Sequence, residues 1–149
     1  MHPGSDPAPR KETGRKAVVA IATSPDGRSV YLALNKGAGA IRRCRLRRFA
    51  MVGPTALAVS PDGQSLYVAS GQSGAIVRVR RSRRGKLAFG RCLSQCRQWQ
   101  GRCGKAYGFR YPMSASVTPD GRSVLVGSAR GAWANFKRGR RRDRRESAT

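Results

Sequence analysis

Apolar and polar positions along this chain recur in blocks too short for ordinary helices. Three lines carry the recurrence: S-P-D-G-R-S-V-Y-L-A-L (Ser24–Leu34), S-P-D-G-Q-S-L-Y-V-A-S (Ser60–Ser70) and T-P-D-G-R-S-V-L-V-G-S (Thr118–Ser128). Each follows a short run: A-I-A-T from Ala20, A-L-A-V from Ala56 and S-A-S-V from Ser114. Each precedes a third block: Gly39–Leu46, Gly74–Arg81 or Gly131–Arg138. In the third block apolar and polar residues alternate. Cys44 and Leu46, Val77 and Val79, and Ala134 and Phe136 share one face, while Arg43 and Arg45, Arg78 and Arg80, and Asn135 and Lys137 take the other. Period two predicts a strand with its arginine side toward solvent. The second block is almost continuously apolar, which predicts a strand covered on both faces.

Turn chemistry separates the first two strands of every unit. The trios are Pro25-Asp26-Gly27, Pro61-Asp62-Gly63 and Pro119-Asp120-Gly121. Pro presets φ, Asp bonds nearby backbone and Gly accepts positive φ, so each trio predicts a hairpin connection. After the middle unit, R-S-R-R-G turns the chain into K-L-A-F-G-R-C-L (Lys86–Leu93), a predicted fourth strand. Antiparallel strands repeated in units of this length predict an all-β, β-propeller-like arc of about three blades. The expected division is residues 1–16, Pro-, Gly- and charge-rich and disordered; repeats over 17–138, with units at 17–52, 53–93 and 113–138 and an insertion at 94–112; and a basic disordered tail at 139–149.

The S-P-D-G-x-S-x-Y-V-A-S line, followed by G-A-I-x-R and K-L-x-F-x-x-C-L, resembles the bacterial lactonase-like and YVTN-type β-propeller repeat proteins over about residues 17 to 138. The resemblance is specific for the repeat. It implies a closed ring of about seven blades, within the usual span of roughly four to eight, and hydrolysis or ring-opening of a lactone. Three units cannot close such a ring. A piece of a longer gene product is the favoured expectation, ahead of self-assembly through open blade edges and of an arc capped by its tails. The resemblance also implies a cysteine-bearing loop here, with one cysteine at the C-L position and another about ten residues later. On that basis Cys92–Cys103 is the expected disulfide, with Cys92–Cys96 and Cys96–Cys103 left open. A disulfide points to an oxidising compartment. No signal peptide is visible, so the cysteine loop hints at an exported parent protein.

Charge changes the picture of partners. With 31 Lys+Arg against 7 Asp+Glu, the formal charge is +24. Such a surplus favours polyanions. The candidate contacts are Arg43, Arg45, Arg78 and Arg80 on the strands and Arg140, Arg141 and Arg142 in the tail, with non-specific nucleic acid as the candidate partner. Trp99, Tyr107, Phe109 and Tyr111 in the insertion are expected to build a local core, the alternative being stacking on bases with the interleaved arginines neutralising phosphates. No run reaches the roughly 18 apolar residues of a membrane helix.

Catalytic chemistry finds few carriers. The only His is His2, and the acids are Asp6, Glu12, Asp26, Asp62, Asp120, Asp143 and Glu146. Four lie in the terminal segments, and the remaining three are the repeat's turn residues. General acid–base work usually needs such groups free. Cys92, Cys96 and Cys103 do not follow a standard zinc spacing, and Cys44 and His2 are poor fourth ligands, so no metal or cofactor is expected. The sequence therefore favours a binding or interaction scaffold, with a protein or small molecule held on the blade rims. The alternatives are a lactonase-like hydrolase incomplete in this chain and a basic nucleic-acid-associating protein.

Overall fold

The computed structural model describes residues 17–35, 53–94, 103–107, 110–129, 131–138 and 144–146. These residues form strands and turns, with no helix among them. The first blade shows β1 (Ala17–Thr23) paired with β2 (Val30–Asn35). The second is a five-stranded sheet in sequential order: β3 (Pro54–Val59), β4 (Ser65–Ser70), β5 (Ala75–Arg81), β6 (Leu87–Ser94) and β7 (Gly104–Lys105). The third runs β8 (Pro112–Val117), β9 (Ser123–Ser128), β10 (Trp133–Lys137) and β11 (Arg144–Glu146). All pairings are antiparallel except β6 with β7. This is an all-β, propeller-like arc of three blades, and none of its sheets closes into a barrel.

The period-two rule divides β4 between two cores. Leu66 and Val68 point one way and join Tyr31 of the first blade, with Val77 and Val79 of β5 beside them. Tyr67 points the other way and joins Val124, Val126, Ala134 and Phe136 of the third blade, with Ile76 of β5. Every residue of β4 is buried. Each fully buried Val or Leu side chain contributes about 1.5–3 kcal/mol, so these two seams hold the arc together. In the outer blades the equivalent strand is covered on one face only. Tyr31 and Ala33 are buried while Val30 and Leu32 are exposed, and Val124 and Val126 are buried while Leu125 is exposed.

Two expectations are corrected here. The arginine face of β5 does not simply meet solvent. Arg78 is half-buried in the groove against the third blade and donates from Nε to Ser65 Oγ at 3.0 Å. A middle blade is covered on both sides, so alternation there separates two interfaces rather than inside from outside. Arg80, further along, is exposed. Part of the expected disordered tail is also ordered: Arg144–Glu146 pairs with β10 through Asn135, Phe136 and Lys137. Ladder hydrogen bonds are backbone bonds, so a charged segment can complete a free strand edge.

Candidate functional site: the turn-bearing rim and the blade joints

All three P-D-G turns share one hydrogen-bond pattern. Gly27, Gly63 and Gly121 donate their N–H to the carbonyls of Ser24, Ser60 and Thr118 at 3.0, 2.8 and 2.8 Å. Their φ values are 70°, 69° and 69°, where a Cβ would be strained. The hydroxyls of Ser60 and Thr118 donate to Oδ1 of Asp62 and Asp120 at 2.6 and 2.5 Å, and Ser24 does the same to Asp26. The backbone N–H two residues beyond each Asp donates to the same oxygen, at 3.0, 3.0 and 2.9 Å. Each Oδ1 is thus committed to its own turn.

Oδ2 has a different use. Arg81, at the end of β5, reaches back to the first blade and donates from Nη2 to Asp26 Oδ2 at 3.1 Å. Its Nε donates to Tyr31 Oη, and its Nη1 to the carbonyl of Gly63 at 3.3 Å. Arg138, just beyond β10, repeats the device one blade later. Its Nη2 meets Asp62 Oδ2 at 2.7 Å, and its Nη1 the Gly121 carbonyl at 3.4 Å. Each arginine therefore clasps the turn of its own blade to the turn of the preceding one. The Arg81 and Arg138 side chains are 6% and 11% exposed, so solvent screens them little, while both aspartates stay about two-fifths exposed. No such arginine reaches Asp120 among the described residues.

Electrostatics follow this geometry. Asp26 is lowered to about 2, first by the Ser24 hydroxyl, then by the Arg28 N–H and by Arg81. Asp62 is lowered although partial burial pushes the other way, because Ser60, the Gln64 N–H and Arg138 outweigh it. Asp120 is lowered chiefly by the Thr118 hydroxyl and the Arg122 N–H. All three stay ionised near neutrality, held as acceptors.

The clasp arginines escape a reading by strand periodicity, which treats third-block arginines as one solvent-facing class. The signal for them is positional: both fall seven residues after the Gly that opens the block, as Gly74 to Arg81 and Gly131 to Arg138. The first unit has Leu46 in that place.

The same rim is basic. Antiparallel pairing puts the β5–β6 hairpin at the end of the sheet that carries the P-D-G turn. Arg28, Arg83, Arg84, Lys86 and Arg122 are all exposed there.

At the opposite rim, Thr55 Oγ1 donates to the Pro112 carbonyl at 2.6 Å, tying the second blade to the third. A Cβ on Gly71 would lie 2.8 Å from the Tyr111 ring, so only glycine lets that ring lie there. Tyr111 and Tyr107 are exposed rather than packed into a loop core. Lys105 lies over the Tyr107 ring at 5.0 Å. Cys92 and Cys103 form a disulfide across 11 residues, with Cα atoms 4.7 Å apart. Cys44, Cys96, His2, Trp99, Phe109, Arg43, Arg45, Arg140, Arg141 and Arg142, and the 1–16 segment, lie outside the described residues.

A cleft of about 390 Å³ opens between the first and second blades, beside Leu32, Leu34, Leu57, Leu66 and Val68. Its lining offers one hydroxyl, that of Tyr31, which accepts from Arg81. No group of three or more His, Cys, Asp or Glu that could hold a metal ion occurs among the described residues.

No family model and no curated protein matches this chain. Solved structures do. The chain is similar to hydrazine synthase of Kuenenia stuttgartiensis, with a TM-score of 0.55 and 22% identity over 95% of this chain and 38% of that one. It is similar to a putative 6-phosphogluconolactonase from Bacteroides uniformis, with a TM-score of 0.59 and 15% identity over 88% of this chain and 40% of the other. A functionally unknown protein from Desulfotomaculum acetoxidans gives 0.59 and 12% over 89% and 42%. At these identities the likeness concerns the fold alone. The chain spans about two fifths of the length of these solved chains.

Proposed function

We propose that this chain is a β-propeller repeat segment of the lactonase-like, YVTN type that serves as a binding scaffold and belongs to a longer propeller protein. The observation that carries the scaffold reading is the commitment of the turn acids. Asp26, Asp62 and Asp120 each hold a turn through Oδ1, and two of them also receive a clasp arginine. A carboxylate fixed as an ionised acceptor is a poor general acid or base at neutral pH. The span of about two fifths of the solved chains supports the longer-protein reading. The Cys92–Cys103 disulfide supports an exported parent.

Hydrolysis of a sugar-acid lactone in the presence of the isolated chain, monitored through the acid that the opened lactone releases, tests the scaffold against the hydrolase. The spontaneous rate is expected. A protein-dependent rate that disappears in Asp62→Asn would overturn the proposal.

A second reading has its own observation, the exposed cations of the turn-bearing rim. Rim and partner would then meet through phosphates, with affinity falling steeply as salt rises. Fluorescence anisotropy with a labelled DNA duplex tests it. Binding that persists at about 0.15 M salt and weakens in Arg83→Glu/Arg84→Glu supports this reading, and binding indifferent to that change removes it.

A further inference from the structure

Aromatic and cationic residues alternate where the insertion meets the rim opposite the P-D-G turns. Lys105, Tyr107, Arg110 and Tyr111 are all exposed there. The two tyrosines keep 54% and 47% of their surface in solvent. Blades pack through the faces of their sheets, so a neighbouring blade covers a face and leaves this rim open.

Both rings stand on fixed supports. Tyr107 follows β7, where Lys105 pairs with Ser94 and the flanking Cys103 and Ala106 are buried. The Ala106 N–H donates to the Ser94 carbonyl at 3.0 Å, and the Cys92–Cys103 disulfide ties the segment to β6. Tyr111 precedes the fully buried Pro112 and has φ of 54°, a conformation uncommon for a bulky residue. A Cβ on Gly71 would lie 2.8 Å from its Cε1 and Cζ and 3.0 Å from its Cδ1, so the turn between β4 and β5 supports the ring closely. Backbone strain of this kind persists only where the surroundings impose it, and it gathers at functional sites. A ring already held in place loses little conformational entropy when a ligand stacks on it.

The charged groups beside the rings are cations. Lys105 Nζ lies 5.0 Å from the centre of the Tyr107 ring, and Arg110 adjoins Tyr111 in the chain. Among the described residues no carboxylate stands at this rim. Asp26, Asp62 and Asp120 sit in the turns at the other end of the sheets, and Glu146 pairs with Asn135 midway along β10. Rings alone would suit any flat apolar ligand, and cations alone any polyanion. Their alternation matches a ligand that itself alternates flat rings with negative charge. We infer that single-stranded nucleic acid lies across this rim, with bases stacked on Tyr107 and Tyr111 and phosphates against Lys105 and Arg110. A duplex turns its base faces inward, so only an unpaired strand uses the rings. The inference rests on the binding-scaffold reading, to which it gives a partner, and it makes no use of the cations on the turn-bearing rim.

Fluorescence anisotropy of the full chain with a labelled oligothymidylate of about 12 nucleotides, in about 0.15 M salt, tests it. The strand is expected to bind. Tyr107→Ala/Tyr111→Ala is expected to lose about 10-fold or more of that affinity, with the salt dependence unchanged because no charge is removed. Its affinity for a duplex of the same length is expected to stay as it was. Tyr107→Phe/Tyr111→Phe keeps both rings and is expected to keep the strand. A chain that does not bind the strand at this salt overturns the inference. So does an alanine variant that binds the strand undiminished, or one that loses strand and duplex alike, the mark of charge without stacking. Photolysis of a strand carrying iodouracil bases needs no variant: attachment at Tyr107 or Tyr111 is expected, and attachment only elsewhere overturns the inference. Lactone hydrolysis by the chain would count against the scaffold and leave these readings as they are.

Discussion

At the residue scale, the turn aspartates join two kinds of work in one carboxylate. One oxygen closes the local hairpin and the other receives the next blade's arginine. That division sets the response to acid. The folded-state value of Asp26 is depressed to about 2. A depressed carboxylate contributes stability above its unfolded value, near 3.9, and loses it as pH falls toward the folded value. Urea midpoints are therefore expected to hold steady from neutrality to about pH 5 and to fall between roughly pH 4 and 2, a decline that Asp26→Asn makes shallower. The arginine side of the clasp is testable separately. Arg138→Ala removes bonds to Asp62, Ser65 and the Gly121 carbonyl. It is expected to cost about 1–2 kcal/mol in urea denaturation, more than an ordinary surface pair, because the side chain is almost covered.

At the element scale, the hairpins were the most legible feature of the sequence. Pro, Asp and Gly at fixed offsets state a turn in local terms, and Gly63 with φ of 69° shows why that position is written as Gly. What the strands face was less legible. Alternation in β5 separates residues by side, but Val77 and Ile76 are both buried because each side meets a different blade. The short strands β7 and β11 carry no apolar pattern of their own: backbone pairing places β11, and β7 is also held by its flanking Cys103 and Ala106, which are buried. The β6–β7 connection is closed by Cys92–Cys103, a pairing that the residues alone left open and that family resemblance favoured. In the chain-entropy model a loop of 11 residues is worth about 3 kcal/mol. Cys103→Ser is accordingly expected to lower the urea-derived stability of the chain by about that amount while leaving the three P-D-G hairpins formed.

At the scale of the whole molecule, the recurrence of one line three times foretold the arc, but not how its blades are joined. Arg81 and Arg138 act over 55 and 76 residues of sequence, a relation no local window contains. The candidate site was legible mainly by elimination. The acids belong to turns, and the structure adds that two of those acids, Asp26 and Asp62, also take part in the blade joints. The net charge stood out in the composition, whereas its gathering on the rim beside the β5–β6 hairpin emerges only once the strands are paired.

The central claim is a three-blade arc whose middle blade is covered on both faces. Amide hydrogen exchange read strand by strand tests it most directly, in dilute, low-salt solution that keeps copies of charge +24 apart. The slowest amides are expected in Ser65–Ser70 and in Ile76–Val79, with β2 and β9 exchanging faster because one face of each is open. Exchange in β4 as fast as in β2, or slowest exchange in an outer blade, would contradict the account.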